Sequence, residues 1–327
     1  MVDPLSSGPI SSGGKQSASE ALLRNELSAC DQALANCAPI LRHLLRNEDA
    51  SIYSELIVAR VRGMFQDIAR QLVIALAEAA GHAEPQAWAH EAAGELAALL
   101  AENPIFLAHF HALALEWQMA ERLQTQMALD PVVTPLLQAR IASADPEIAA
   151  TAMSLLAAQA RFGQAQRRML LPMAELPGDL FHVAMVTMRT YVGHEASADG
   201  YALIAERAMR ARFDEQRGRL ALVGRVLGAM ADNEARSALS IEHAGVTLFV
   251  TALGQASGIG RESIIMASTE GQHLRMALAL CASGLGADRM TSQFCAIHPD
   301  AVLPEAVREL EREAAAAVLR DAGLAFP

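Results

Sequence analysis

Seven residues near the start of the chain limit its folding options more than any others. Leu23, Leu27, Cys30, Leu34, Cys37, Leu41 and Leu44 recur at alternating spacings of four and three, the pattern of a helix packed along a narrow apolar seam. A second helix follows a short polar turn at residues 47–51, with Ile57, Val61, Met64, Ile68, Leu72, Ala75 and Ala79 in a looser version of the same pattern. Two such helices in an antiparallel hairpin cannot cover their own seam. The stripe must meet either the rest of the chain or a second copy, so Leu23, Leu27, Leu34, Leu41 and Leu44 are the expected self-association residues and a homodimer is the expected assembly.

The apolar content of 52% contains only 4% aromatic residues. Much of it is alanine, the best helix former, and β-branched runs of strand length are few. The expected fold class is therefore all-α, with no β-sheet. The net charge of −11 argues against general binding to nucleic acid, a polyanion. No apolar stretch reaches the ~20 residues needed to cross a bilayer, because Glu78, Glu102 and Asn103 interrupt the nearest runs. Residues 1–18 lack the apolar segment of a signal peptide and read as a disordered tail. Four cysteines without a Cys-x-x-Cys pair suggest neither zinc nor a disulfide framework. The expected location is cytoplasmic, with no cofactor.

Helix boundaries are marked by side-chain chemistry. Ser17 and Glu20 have the spacing of a capping box, Pro39 should kink the first helix, and Gly81 suits the end of the second. Pro85 suits a helix start. Asn103-Pro104, Asp130-Pro131 and Asp145-Pro146 each place a capping side chain before a proline at the first helical position. The roughly 42 residues from the first to the third of these starts approximate one HEAT-type repeat. The expected organisation is a tail (1–18), a heptad hairpin (19–81), an irregular HEAT-like stack of helical hairpins (83–192), a hinge (193–200) and a C-terminal helical module (201–327). That module should open with one long helix from Tyr201 to Met230 and continue as short helices at 243–256, 260–268, 271–283, 287–297 and 304–322.

Within this module, the apolar helix around Leu248-Phe249, the short Arg261-Glu262 helix and the alanine-rich helix running into Gly284-Leu285 form a helix–turn–helix–turn–helix series. This segment resembles the C-terminal module of a proteobacterial family of uncharacterised, all-helical, HEAT-like proteins. The resemblance covers about 45 of the 327 residues. It implies a helical fold and a bacterial source, and it carries no functional residue across.

No spacing announces catalysis. His109 and His111 stand two apart, on different sides of a helix, and no His-Glu-x-x-His occurs, so no dedicated metal site is expected. There is no Gly-x-Ser-x-Gly elbow and no glycine-rich phosphate loop. Gly254, Gly258 and Gly260 read as left-handed turns, and Met169, Met173, Met185 and Met188 as core filling. His43 with Arg46 and Asn47 loosely resembles the phosphoacceptor motif of histidine-containing phosphotransfer domains, although that family has glycine where Asn47 stands. Arg207, Arg210, Arg212, Arg217 and Arg219 (with Arg225 beyond them) make a local basic excess suited to an acidic partner or an anion. The chain thus reads as a non-enzymatic scaffold or regulatory adaptor that binds a protein partner through helical surfaces. A phosphorelay element using His43 and a small-molecule-binding helical sensor are the alternatives.

Overall fold

The computed structural model describes residues 12–46, 55–193 and 196–321. Every regular element among them is a helix, and none is a strand. Most of the expected tail, the expected turn at 47–51, and His194 and Glu195 of the expected hinge lie outside the described residues.

Helix α1 (Ser12–Ala35) begins upstream of Ser17, so Ser17 and Glu20 lie within a helix rather than capping one. It is followed by α2 (Cys37–Arg46). The break falls where proline chemistry requires it: the ring of Pro39 collides with the carbonyl four residues back, and that carbonyl belongs to Ala35, the last residue of α1. The helix resumes with Ile40 N donating to the Asn36 carbonyl at 3.1 Å.

Helix α3 (Glu55–Ala79) is the central strut. It buries Ile57, Val61, Met64, Ile68 and Leu72 along the expected stripe, and also Val58, Phe65, Ala69, Val73 and Leu76 on other faces. Helices α2, α4 (Pro85–Ala101), α5 (Pro104–Met127) and α9 (Ala196–Arg212) surround it. The antiparallel partner of α3 is α4, reached through Gly81 at φ +75°. The N-terminal hairpin of two seam helices is not the observed pairing. The axis bends by 101° between α4 and α5, where Asn103 accepts a hydrogen bond from Ile105 N at 2.9 Å. No single described helix is long and apolar enough to cross a membrane.

Helix α6 (Pro135–Ile141) is capped by Thr134, and α7 (Pro146–Arg167) by Asp145, which accepts from Glu147 N at 2.9 Å. Asp130 does not start a helix. Its carboxylate accepts from Val132 N and Val133 N, both at 2.8 Å, and closes a turn. The connection to α8 (Gly178–Val192) is tied to α3 by Asp67, which accepts from Leu171 N at 3.1 Å, and by Gln71, which accepts from Met173 N at 3.0 Å. Met185 and Met188 of α8 are fully buried core residues.

The long helix expected from Tyr201 to Met230 is broken. After α9 comes a 3-10 turn (Glu215–Arg217), whose Asp214 cap accepts from Gln216 N at 3.0 Å, and then α10 (Arg219–Gly228). The break turns Arg219 into the core. Beyond a short α11 (Asp232–Ala235) lie α12 (Ile241–Ser257), α13 (Arg261–Ala267), α14 (His273–Ala282), α15 (Ala287–Ile297), α16 (Glu305–Arg308) and α17 (Arg312–Asp321), close to the expected short-helix series. Gly245 kinks α12 at φ +71°, and a Cβ there would lie 2.4 Å from Thr134 Cγ2. Gly258 ends α12 in the left-handed region, whereas Gly254 and Gly260 do not adopt it.

Helix α1 docks on this C-terminal module. Gln272 Nε2 donates to the Cys30 carbonyl at 2.9 Å, Cys30 Sγ donates to the Gly271 carbonyl at 3.3 Å, and the fully buried Arg275 pairs with Asp31. The seam leucines Leu23, Leu27, Leu34, Leu41 and Leu44 are each buried within the chain's own core. They offer no surface to a second copy unless α1 and α2 lift off, which corrects the self-association assignment. The apolar core is continuous from Leu23 to Leu319 and includes Met188 and Ala202 on either side of the expected hinge. Contacts are not confined to successive hairpins, since α3 meets α9, α7 meets α10, and α5 meets both α12 and α13.

Replacing the fully buried Leu27 by Ala should destabilise the fold by about 2–5 kcal/mol, the usual cost of a core leucine truncation. Urea denaturation measures that loss. Sedimentation equilibrium should give the same mass for variant and parent, because the side chain faces the chain's own core.

Candidate functional site

The middle of α5 reads Leu113-Ala-Leu-Glu-Trp117, and its single carboxylate is 2% exposed. Burying a lone charge is prohibitive unless counter-charges and hydrogen bonds meet it. Arg219, the first residue of α10, forms a two-pronged pair with Glu116 at 2.8 and 3.0 Å. Arg261, the first residue of α13, approaches Oε1 at 2.7 Å. The Thr247 hydroxyl on α12 donates to the same oxygen at 2.7 Å and accepts from Gln159 of α7 at 2.8 Å. Phe162 of α7 lies against the Arg219 guanidinium, with its ring centroid 3.7 Å from Cζ, the cation–π geometry that a desolvated arginine favours. Glu175, in the connection to α8, stands 3.7 Å from Arg219 Nε.

The electrostatics follow from this packing. Burial alone would raise the Glu116 carboxyl, but Arg219 and Arg261 outweigh it and hold the group ionised, well below the usual carboxylate range. Glu175 is pushed up by burial against a weaker pull from Arg219. Among the described residues, the groups that meet the Glu116 carboxylate are the guanidiniums of Arg219 and Arg261 and the Thr247 hydroxyl. The cluster fastens α5, α7, α10, α12 and α13 around one carboxylate.

Two turns back on α5, His109 lines a cavity of about 450 Å³ bounded by Ile105, Leu180, Leu319, Ser263, Asp179 and Glu262. His109 is 6% exposed, and its Nε2 has no hydrogen-bond partner among the described residues. Burial, reinforced by the guanidiniums of Arg261 and Arg219, lowers its imidazole to about 4. His111 is equally buried, and burial lowers it to about 4 as well. Both are core histidines. Among the described residues, no group of three or more His, Cys, Asp or Glu side chains is placed to hold a metal ion.

The other expected site residues are dispersed. His43 lies on the exposed side of α2, and Asn47 lies outside the described residues. Arg207, Arg210, Arg212 and Arg217 are exposed, whereas Arg219 is 1% exposed and bound to Glu116, so it leaves the anion-contact set. Arg210 pairs with Glu206 at 2.8 Å and contacts His182 Nδ1 at 3.0 Å. The Glu116 cluster was not anticipated, although a single acid within the apolar run of α5 signals a buried carboxylate needing partners. No family model, curated protein or solved structure matches the chain.

Two stability measurements check this electrostatic picture. Glu116→Gln leaves two buried guanidiniums without their counter-charge and should lower unfolding free energy by about 3–5 kcal/mol in urea. Asp199→Asn removes the partner of Arg189 in a pair whose side chains are 43% and 44% exposed, and a solvent-screened pair of that kind should cost about 1 kcal/mol or less. The second measurement is the pH dependence. The unfolded chain protonates its histidines near 6.5, and the folded protein holds His109 and His111 neutral to about pH 4. Between those values the unfolded state binds more protons, so stability should rise with pH from 4 to about 6.5 and then level off. Each histidine contributes on the order of 3 kcal/mol to this rise. His109→Gln should remove its share of the slope, and Glu116 adds a further loss as pH falls below the unfolded carboxylate value.

Proposed function

We propose that the protein is a non-enzymatic regulatory adaptor and that its docking surface is the outer face of α8 and α9. The observation that carries this reading is an apolar stripe left uncovered on an otherwise amphipathic helix. The inner face of α9 packs on α3 through Ala202 and Ala205, which are 0% and 1% exposed. On the outer face, Tyr201, Ile204, Ala208 and Ala211 recur at spacings of three and four and are all exposed. Ile204 is 54% exposed, and Val186 on the adjoining α8 is 50% exposed.

Charge selects the occupant. Arg207 and Arg212 border the stripe, are exposed, and enter no ion pair among the described residues. They stand out as basic on a chain of net charge −11. An amphipathic helix from an acidic partner protein complements both features: its apolar side covers Ile204 and Tyr201, and its carboxylates meet the arginines. The Phe181 and Phe213 rings stack with their centroids 3.9 Å apart and join the end of α9 to the start of α8.

The test is binding of a synthetic helical peptide with leucines at i, i+3, i+4 and i+7 and glutamates elsewhere, followed by fluorescence anisotropy. Ile204→Asp and the pair Arg207→Glu/Arg212→Glu should each weaken binding about tenfold or more while leaving the melting temperature nearly unchanged, as expected for surface positions. A lysine version of the peptide should bind far more weakly. Equal affinity for both peptides, or no effect of either variant, would reject the docking face.

A further inference from the structure

A cavity of about 590 Å³ lies between the end of α14 and the starts of α15 and α17, and it shares no residue with the α8–α9 outer face. Three arginines from three elements line it. Arg236 opens the 3-10 turn (Arg236–Leu239) after α11, Arg289 stands in the first turn of α15, and Arg312 is the first residue of α17. Asp288 is the carboxylate that joins them in the lining, whereas Glu311 and Glu313, on either side of Arg312 in the chain, do not reach it. The chain as a whole carries 37 acidic and 26 basic residues, so three cations against one anion reverse its general balance. All three arginines are exposed and enter no ion pair among the described residues. Arg312 is also held in place: its Nε donates to the Ala282 carbonyl at 3.1 Å. The guanidinium then lies beside Gly284, where an added Cβ would stand 3.5 Å from Cδ and from Nη1. Its two terminal nitrogens have no hydrogen-bond partner among the described residues, which leaves the planar fork that suits phosphate oxygens unused. Gly286, ahead of α15, has no side chain to cap the amides of that helix's first turn, and those amides add partial positive charge to the same wall.

We infer that this cavity binds a small organic phosphate monoester, with its phosphoryl group held by Arg236, Arg289 and Arg312 and its carbon part against Leu239 and Leu285. The charge chooses the group. Three guanidiniums less the Asp288 carboxylate leave two positive charges in the lining, which a phosphate monoester matches with a charge of about −2 near neutral pH and a single carboxylate does not. The volume falls in the range of small-molecule sites and exceeds what a phosphoryl group alone fills. Asp288 repels a second phosphoryl group and accepts hydrogen bonds from hydroxyls, so it favours a monoester with a hydroxylated carbon part.

The probe is glycerol 3-phosphate, titrated into the full chain by isothermal calorimetry beside inorganic phosphate and glycerol. The ester should bind and glycerol should not. Inorganic phosphate should bind several-fold more weakly than the ester, because it leaves the Leu239 and Leu285 side of the cavity unfilled. Arg236→Gln/Arg289→Gln should weaken ester binding about tenfold or more. Both positions are exposed, so the melting temperature of this variant should barely move. Arg312→Lys keeps the charge but loses the fork, and it should weaken binding as well. Asp288→Asn keeps an acceptor, removes the opposing charge and should tighten binding several-fold. Arg320→Gln, on the exposed last turn of α17 and outside the cavity, should change nothing, which separates the site from a general effect of net charge. No binding of the ester, equal affinity for ester and inorganic phosphate, an unchanged affinity in the double variant, or an equal loss in Arg320→Gln would overturn the inference. None of these positions lies on the α9 stripe, so this site and the docking face fail independently.

Discussion

The carboxylate of Glu116 is a unit charge in the middle of an apolar helix, and the arrangement of the surrounding helices answers the need to neutralise it. Removing such a charge from water is tolerable only when its oxygens meet cations and donors at hydrogen-bond distance. Arg219, Arg261 and Thr247 supply them from three different helices. A directional pair fixes distance and orientation more sharply than apolar contact does. The starts of α10 and α13 are therefore pinned to α5 at points that hydrophobic packing alone would leave free to slide.

Two lesser ties of the same kind extend the arrangement outward. Asp67 receives the backbone of Leu171 and holds the connection between α7 and α8 against α3. Arg275 receives Asp31 and holds α1 against the C-terminal helices. Each ties segments about a hundred or more residues apart in the chain. The Asp31 tie explains the fate of the leucine seam: once α1 is anchored beside α14, its apolar stripe faces the module formed by the end of the same chain. The partner that the seam required was available internally.

The α8–α9 outer face and the cavity beside His109 differ in how they relate to this frame. The α8–α9 face is what remains after α9 has used its alanine side to pack on α3, so its exposed stripe is a by-product of close helix approach through small residues. The His109 cavity sits near the Glu116 cluster, where burial, reinforced by the arginines that serve Glu116, keeps the imidazole neutral. A single charge cluster thus sets the stability of the core and the electrostatic character of the adjoining pocket.

The sequence by itself determined what is local. Helical periodicity, alanine content and the scarcity of strand-length β-branched runs fixed the all-α class, and capping chemistry placed Asn103, Asp145, Pro85 and the glycine-bounded short helices, because hydrogen bonds within one turn depend on residues a few positions apart. Asp130 failed as a helix start for the same local reason, since an Asp-Pro pair closes a turn as readily as it opens a helix. Tertiary structure decided which apolar stripe met which, that the segment after Tyr201 would break so that Arg219 could turn inward, and that His109 would lie beside Arg261. Those outcomes rest on pairings such as Glu116 with Arg219, 103 residues apart. The acid in α5 announced the need for a cation, but periodicity carries no information about which of 26 basic residues the folded chain would bring to it.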